Sequence, residues 1–72
     1  MREIKERALR AEQDLELMLE IAEEVRHSPE ADLAQIETAK GLRRSIMSAS
    51  RQATEERLHV VRSRFQRLVA ML

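Results

Sequence analysis

Cysteine is absent from this 72-residue chain, and glycine, proline and aromatic residues occur once each, as Gly41, Pro29 and Phe65. Without cysteine, disulfides and thiolate metal sites are excluded, and only His27 and His59 could offer imidazole. One Gly and one Pro are too little punctuation for a β protein, whose strands need frequent turns. Long apolar runs are missing too. The longest, Leu68-Val69-Ala70-Met71-Leu72, falls far short of the ~20 residues that span a bilayer. The opening Met1-Arg2-Glu3-Ile4-Lys5-Glu6-Arg7 is charged and lacks the apolar core of a secretory signal, so a cytoplasmic location and no membrane partner are expected.

What is present favours helix. Ala, Leu, Glu, Arg, Gln and Met are plentiful, and all are strong helix formers. High charge combined with abundant aliphatic residues is the composition of coiled coils and helical bundles, so an all-α fold is expected. A chain this short sits near the lower limit for folding alone, which makes association the first remedy to consider. The net charge is zero but unevenly spread: residues 1–32 carry −5 and residues 33–72 carry +5. An acidic front and a basic back attract when folded side by side.

Two stripes describe a hairpin. Ile4, Ala8, Ala11, Leu15, Met18, Ala22 and Val25 recur with alternating spacings of four and three, the signature of a coiled-coil seam. His27-Ser28-Pro29-Glu30 then places a capping Ser before a Pro, and Pro fits the first position of a helix. The second stripe is Leu33, Ile36, Ala39, Leu42, Ile46, Ala49 and Ala53. Folding at Ser28-Pro29 pairs Val25 with Leu33, Ala22 with Ile36, Met18 with Ala39 and Leu15 with Leu42. It also pairs Ala11 with Ile46, Ala8 with Ala49 and Ile4 with Ala53. Large side chains mostly face small ones, as interdigitating layers require. The expectation is one domain over 1–72: a helix over about 2–26, a turn at 27–29 and a helix over about 30–71. Gly41 reads as a tolerated interior glycine costing about 1 kcal/mol, marking a close helix crossing.

A third stripe, Leu58, Val61, Phe65, Leu68 and Leu72, begins after the first helix has run out. Two solutions fit it. In one, the second helix continues and the stripe overhangs by about 28 Å, forming a partner-binding surface anchored by Phe65. In the other, the chain breaks near 48–54 and folds a third helix back into a three-helix bundle. No Gly or Pro follows Gly41, and the continuous helix is the preferred reading. Leu9, Leu17, Leu19 and Ile21 lie off the first seam, so that helix also wants a second neighbour.

Signals for chemistry are thin. Glu56-Arg57-Leu58-His59 holds one Glu-x-x-His unit of the kind used in di-iron bundles, and a single copy reads more simply as a surface Glu and His. Arg57, Arg62, Arg64 and Arg67 around Phe65 could meet RNA phosphates, but they serve equally as a solvated flank. Met18, Met47 and Met71 are core filler before they are an adaptable surface. The seams carry no cations of the sort that small helical enzymes bury. No catalytic set, cofactor or metal is expected, and nucleic acid is the weaker reading beside a protein partner. The expected function is a non-enzymatic protein–protein interaction module, with a homo-oligomeric structural hairpin as the alternative.

A first helix, then Ser28-Pro29-Glu30, then a helix carrying Leu33, Gln35, Leu42 and Ile46, resembles the YscE-type co-chaperones of bacterial type III secretion. The resemblance covers Leu15 to Ala49 and rests on layout, size and the Pro-Glu turn. It implies a small cytoplasmic hairpin that binds a tetratricopeptide-like, helical-repeat chaperone and with it holds the needle subunit against premature polymerisation. The chain departs from the family at Ala31-Asp32-Leu33, where members often place a Tyr soon after the Pro-Glu. Its expected second helix is also longer than theirs.

Overall fold

The computed structural model describes residues 2–11 and 13–72; Met1 and Glu12, which the expected domain and first helix span, lie outside the described residues. The fold is all-α. Among the described residues four helices follow one another: α1 (Arg2–Ala8), α2 (Leu15–His27), α3 (Leu33–Arg51) and α4 (Glu55–Ala70).

Each break has a local cause in a short polar side chain. Asp14 sits in extended backbone and its carboxylate accepts from the N–H groups of Glu16 and Leu17 at 3.0 and 3.2 Å. That satisfies donors that the start of a helix otherwise leaves orphaned. The stretch before it tightens into i→i−3 bonds, Arg10 N–H to the Arg7 carbonyl and Ala11 N–H to that of Ala8. The first helix is therefore interrupted, which corrects the expectation of one helix over about 2–26.

At the next turn Ser28 ends α2 rather than starting a helix, and its hydroxyl accepts from the N–H of Glu30. The start belongs to Asp32. Its carboxylate accepts from the Gln35 N–H at 2.8 Å, and the Gln35 side-chain oxygen accepts from the Asp32 N–H at 3.0 Å. A reciprocal capping box satisfies two donors where Ser28 would satisfy one. The helix consequently begins at Leu33, not about residue 30, and Leu33 is 73% exposed instead of lying in the seam.

Thr54 makes the third break. Its hydroxyl accepts from the Arg57 N–H at 3.1 Å, and Glu55 and Glu56 place negative charge on the positive end of α4. The preferred continuous helix over about 30–71 is thus corrected to the broken alternative. Such a helix would measure about 63 Å, whereas the longest dimension of the molecule is 33 Å. Ala53 falls in the connection and is exposed, so it too leaves the seam.

Three contacts fix the direction of α4. Gln35 Nε2 donates to the Met71 carbonyl at 2.7 Å, Arg64 to the Gly41 carbonyl at 3.1 Å and Arg57 to the Ser48 carbonyl at 3.1 Å. As the α3 residue number rises the α4 number falls, so the two helices run antiparallel. With α2 returning to α3 across five residues, α3 is the central element, packed against α2 on one side and α4 on the other. The short α1 lies on α2, where Arg7 forms a two-pronged ion pair with Glu24 at 2.6 and 2.7 Å. Ala8 borders a cleft with Phe65, Val69 and Ala70. These belong to the half of α4 beside the start of α3, so the expected pairings of Ala8 with Ala49 and Ile4 with Ala53 are replaced.

The core is built from Ala8, Ala11, Met18, Ile21, Ala22, Val25, Ala39, Leu42, Ile46, Ala49, Val61, Phe65 and Leu68, all essentially buried. Ile4, Leu15, Leu58 and Leu72 are half-buried against it, and Ile36 is half-buried. Most of both stripes therefore does face inward. The third stripe is the main correction: Val61, Phe65 and Leu68 are 0–2% exposed, covered by the chain itself, and Leu58 and Leu72 pack on the same cluster. They do not overhang as a partner surface. Burying each large side chain stabilises by about 1.5–3 kcal/mol, and folding α4 back collects that gain within one chain.

Phe65→Ala should destabilise by about 3–5 kcal/mol, the loss expected for a buried aromatic. That is comparable with the whole stability of a small domain, so far-ultraviolet circular dichroism should report a largely unfolded chain. Phe65→Leu should cost less than about 1.5 kcal/mol. Full helicity with an unchanged melting temperature in Phe65→Ala would place the ring outside the core. Separately, Asp32→Ala should cost about 1 kcal/mol, read as a lowered melting temperature.

Candidate interaction surface

With Ala39, Leu42, Ile46 and Ala49 committed to the core, helical geometry sends Lys40, Arg44, Met47 and Arg51 outward, and all four are exposed. Their spacings of four, three and four make one cationic stripe along α3. On its flank toward α4 lies an open groove of about 740 Å³ lined by Arg44, Ser45, Ser48, Gln52, Thr54, Glu56, Arg57, Val60 and Arg64. Two smaller depressions adjoin it, one at Arg43, Arg44, Met47, Ser50 and Arg51, the other at Arg26, Lys40, Arg43 and Arg44. Arg44 borders all three. Glu56 is the one carboxylate among their linings.

The guanidinium groups here are not equivalent. Arg57 and Arg64 each give a donor to a backbone carbonyl of α3, which ties α4 down and leaves part of their charge facing the groove. The Gly41 carbonyl also accepts from the Ser45 hydroxyl at 3.2 Å, so a buried helical carbonyl carries two side-chain donors. Gly41 leaves room for this approach: a Cβ there would lie 2.9 Å from Arg64 Nη1, so the end of the Arg64 side chain would have to shift. The interior glycine thus marks a close crossing of α3 by an α4 side chain. Arg43 Nε lies 2.7 Å from Glu23, which Arg26 and His27 also approach at 3.2 and 3.4 Å. Arg44, in contrast, has no carboxylate partner among the described residues. Elsewhere, the Glu24 hydrogen bond holds the Arg7 guanidinium above its ordinary pKa against opposing desolvation, with the charges of Glu24, Glu20 and Glu3 adding to the rise.

The residues singled out in the sequence scatter in the fold. Arg57 and Arg64 reach the groove, whereas Arg62 and Arg67 are exposed outside it. Glu56 lines the groove and His59 is exposed, and among the described residues no three His, Cys, Asp or Glu side chains cluster as metal ligands. Met18 is buried, Met71 is half-buried, and Met47 is 44% exposed among arginines. Sequence reasoning passed over Arg44 and Val60 and took Met47 first as core filler, whereas it is exposed. Their signal was available: Lys40, Arg44, Met47 and Arg51 repeat with helical period on the face opposite the apolar stripe. Among the described residues no helix is long and apolar enough to cross a membrane.

The chain matches no protein family, no curated protein and no solved structure. What it does is accordingly read from its own surface.

Gly41→Ala should change stability by less than about 1 kcal/mol, because the gain of about 1 kcal/mol in helix propensity is offset by displacing Arg64 from the carbonyl. In an Arg64→Met background that bond is already gone, and the same substitution should stabilise by about 1 kcal/mol. Chemical denaturation of the four variants measures the coupling. Equal effects of Gly41→Ala in both backgrounds would remove it.

Proposed function

We propose that this chain is a non-enzymatic protein–protein interaction module, a small co-chaperone or adaptor that binds a helical partner. The observation that carries the reading is the Arg44-centred surface, where cations surround the exposed apolar side chains Met47 and Val60. Arginine and methionine are enriched at interfaces between proteins, and the scaffold beneath is a rigid α3–α4 pair. The third apolar stripe is covered by the chain itself, so a partner is not needed there to rescue the fold.

The α2–α3 hairpin coincides with Leu15 to Ala49, the stretch that resembles the YscE-type co-chaperones. On that likeness the partners would be a helical-repeat chaperone and a type III secretion needle subunit, and the setting would be the cytoplasm. A basic-helix RNA binder is the second reading. It draws on the same arginines, but the one aromatic ring is buried and unavailable for base stacking.

Affinity purification of the tagged chain from its native host, with nuclease treatment and mass spectrometry, tests the proposal. A protein partner retained in fixed proportion after nuclease is the expected result. Recovery of a helical-repeat chaperone with a needle subunit supports the family likeness, and a different helical partner leaves the adaptor reading without it. Recovery of RNA that dissociates steeply with salt, with no protein, would overturn the module.

A further inference from the structure

We infer that the Arg44 surface is a docking site for an acidic amphipathic helix of a partner protein. The inference rests on the interaction-module reading and names the surface and the chemistry of what it takes.

Three observations converge. The first is shape. The stripe from Lys40 to Arg51 extends for about 16 Å, three turns, beside a groove framed by α3 and α4, and a helix packs by laying its side-chain ridges into such grooves. The second is charge complementarity. Lys40, Arg44 and Arg51 are exposed along the stripe and Arg57 and Arg64 stand at the groove wall, against Glu37, which lies 3.8 Å from Lys40, and Glu56 in the groove lining. An occupant must bring carboxylates. The third is the placement of apolar surface: Met47 and Val60 are 44% and 37% exposed and border depressions that share Arg44. The occupant must therefore also carry apolar side chains between its carboxylates, which is the pattern of an acidic amphipathic helix.

The molecule holds an internal example of this pairing. α2 carries Glu16, Glu20, Glu23 and Glu24 around the buried Met18, Ile21, Ala22 and Val25. It packs on α3, and Glu23 meets Arg43 at 2.7 Å. One acidic amphipathic helix is thus already bound to one side of α3 by apolar contact plus an arginine–carboxylate pair. The proposed partner would use the same chemistry on the other side.

Nucleic acid fits less well. Phe65, the only aromatic residue, is 2% exposed and cannot stack on bases. Arg57 and Arg64 already spend donors on α3 carbonyls, and Arg26 and Arg43 share Glu23.

The test uses the full chain and two fluorescent probes: a peptide of about 18 residues with glutamates flanking a leucine stripe at helical spacing, and a single-stranded RNA of similar length. The chain should bind the peptide more tightly than the RNA. Arg44→Glu should weaken peptide binding about tenfold, Met47→Glu should weaken it as well, and Arg62→Glu, outside the groove, should leave it unchanged. All three variants should keep wild-type helical circular dichroism, and Arg44→Gln with an intermediate loss guards against a folding artefact. Methyl resonances of Met47 and Val60 should move on peptide addition. Peptide binding indifferent to Arg44→Glu, tighter binding of RNA, or no peptide binding below about 1 mM would each overturn the inference. A native partner still captured by the Arg44→Glu chain would retire this surface while leaving the module reading intact; loss of every native partner from the wild type would do the reverse.

Discussion

The packing of α4 against α3 is the contact on which the rest of the molecule depends. With neither a disulfide nor a thiolate metal site available, the chain can reach stability only by burying apolar surface. Its two largest fully buried side chains lie on different helices, Phe65 on α4 and Met18 on α2. Both join the cluster that contains Leu42 and Ile46 of α3. If α4 stood away, Val61, Phe65 and Leu68 would be wet and the α3 stripe would lose a cover. Folding back removes both penalties at once, and Thr54 supplies the cap that makes the reversal possible within three residues.

The same packing sets up the surface. The missing Cβ at Gly41 leaves room for the Arg64 guanidinium at the Gly41 carbonyl, so a residue that weakens an isolated helix here eases a tertiary hydrogen bond. Arg57 repeats the contact one end further along at Ser48. Together they tie α4 to α3 along the groove, with Arg44 and Val60 lining it and Met47 in the adjoining depression. A surface carried on two clamped helices is better ordered than one carried on a loop. The acidic residues, meanwhile, are drawn to α2, where Arg7, Arg26 and Arg43 engage Glu24 and Glu23, and this leaves the opposite side of α3 basic. Each such exposed pair contributes little, but their arrangement gives the molecule two electrically different sides.

Much of this was legible in the sequence, and the misreadings share one cause. Apolar periodicity identified helices and most inward-facing residues, from Met18 and Val25 to Leu42 and Ala49. It did not locate helix ends, because a heptad stripe can continue in register across a capped break, as Ala8, Ala11 and Leu15 do here. The ends are written in short polar side chains: Asp14 before Leu15, Asp32 with Gln35 three residues on, and Thr54 before Glu55 and Glu56. Taking Ser28 as a cap, passing over Asp32 and Thr54, and weighing only the absence of Gly and Pro after Gly41 led to a long straight helix. From that followed an overhanging stripe, and Phe65 was assigned to a partner instead of the core. The Arg44 surface was missed for a related reason: with α4 extended there is no groove between α3 and α4 to notice.

The account stands on the chain covering its own third stripe. Thermal unfolding followed at protein concentrations spanning about three decades tests this most directly, because only an assembly has a midpoint that depends on concentration. A monomeric mass and one cooperative transition whose midpoint is the same at every concentration are the results the account predicts. A midpoint that climbs steadily with concentration, together with a dimeric or larger mass, would mean that another chain covers Val61, Phe65 and Leu68, and would contradict it.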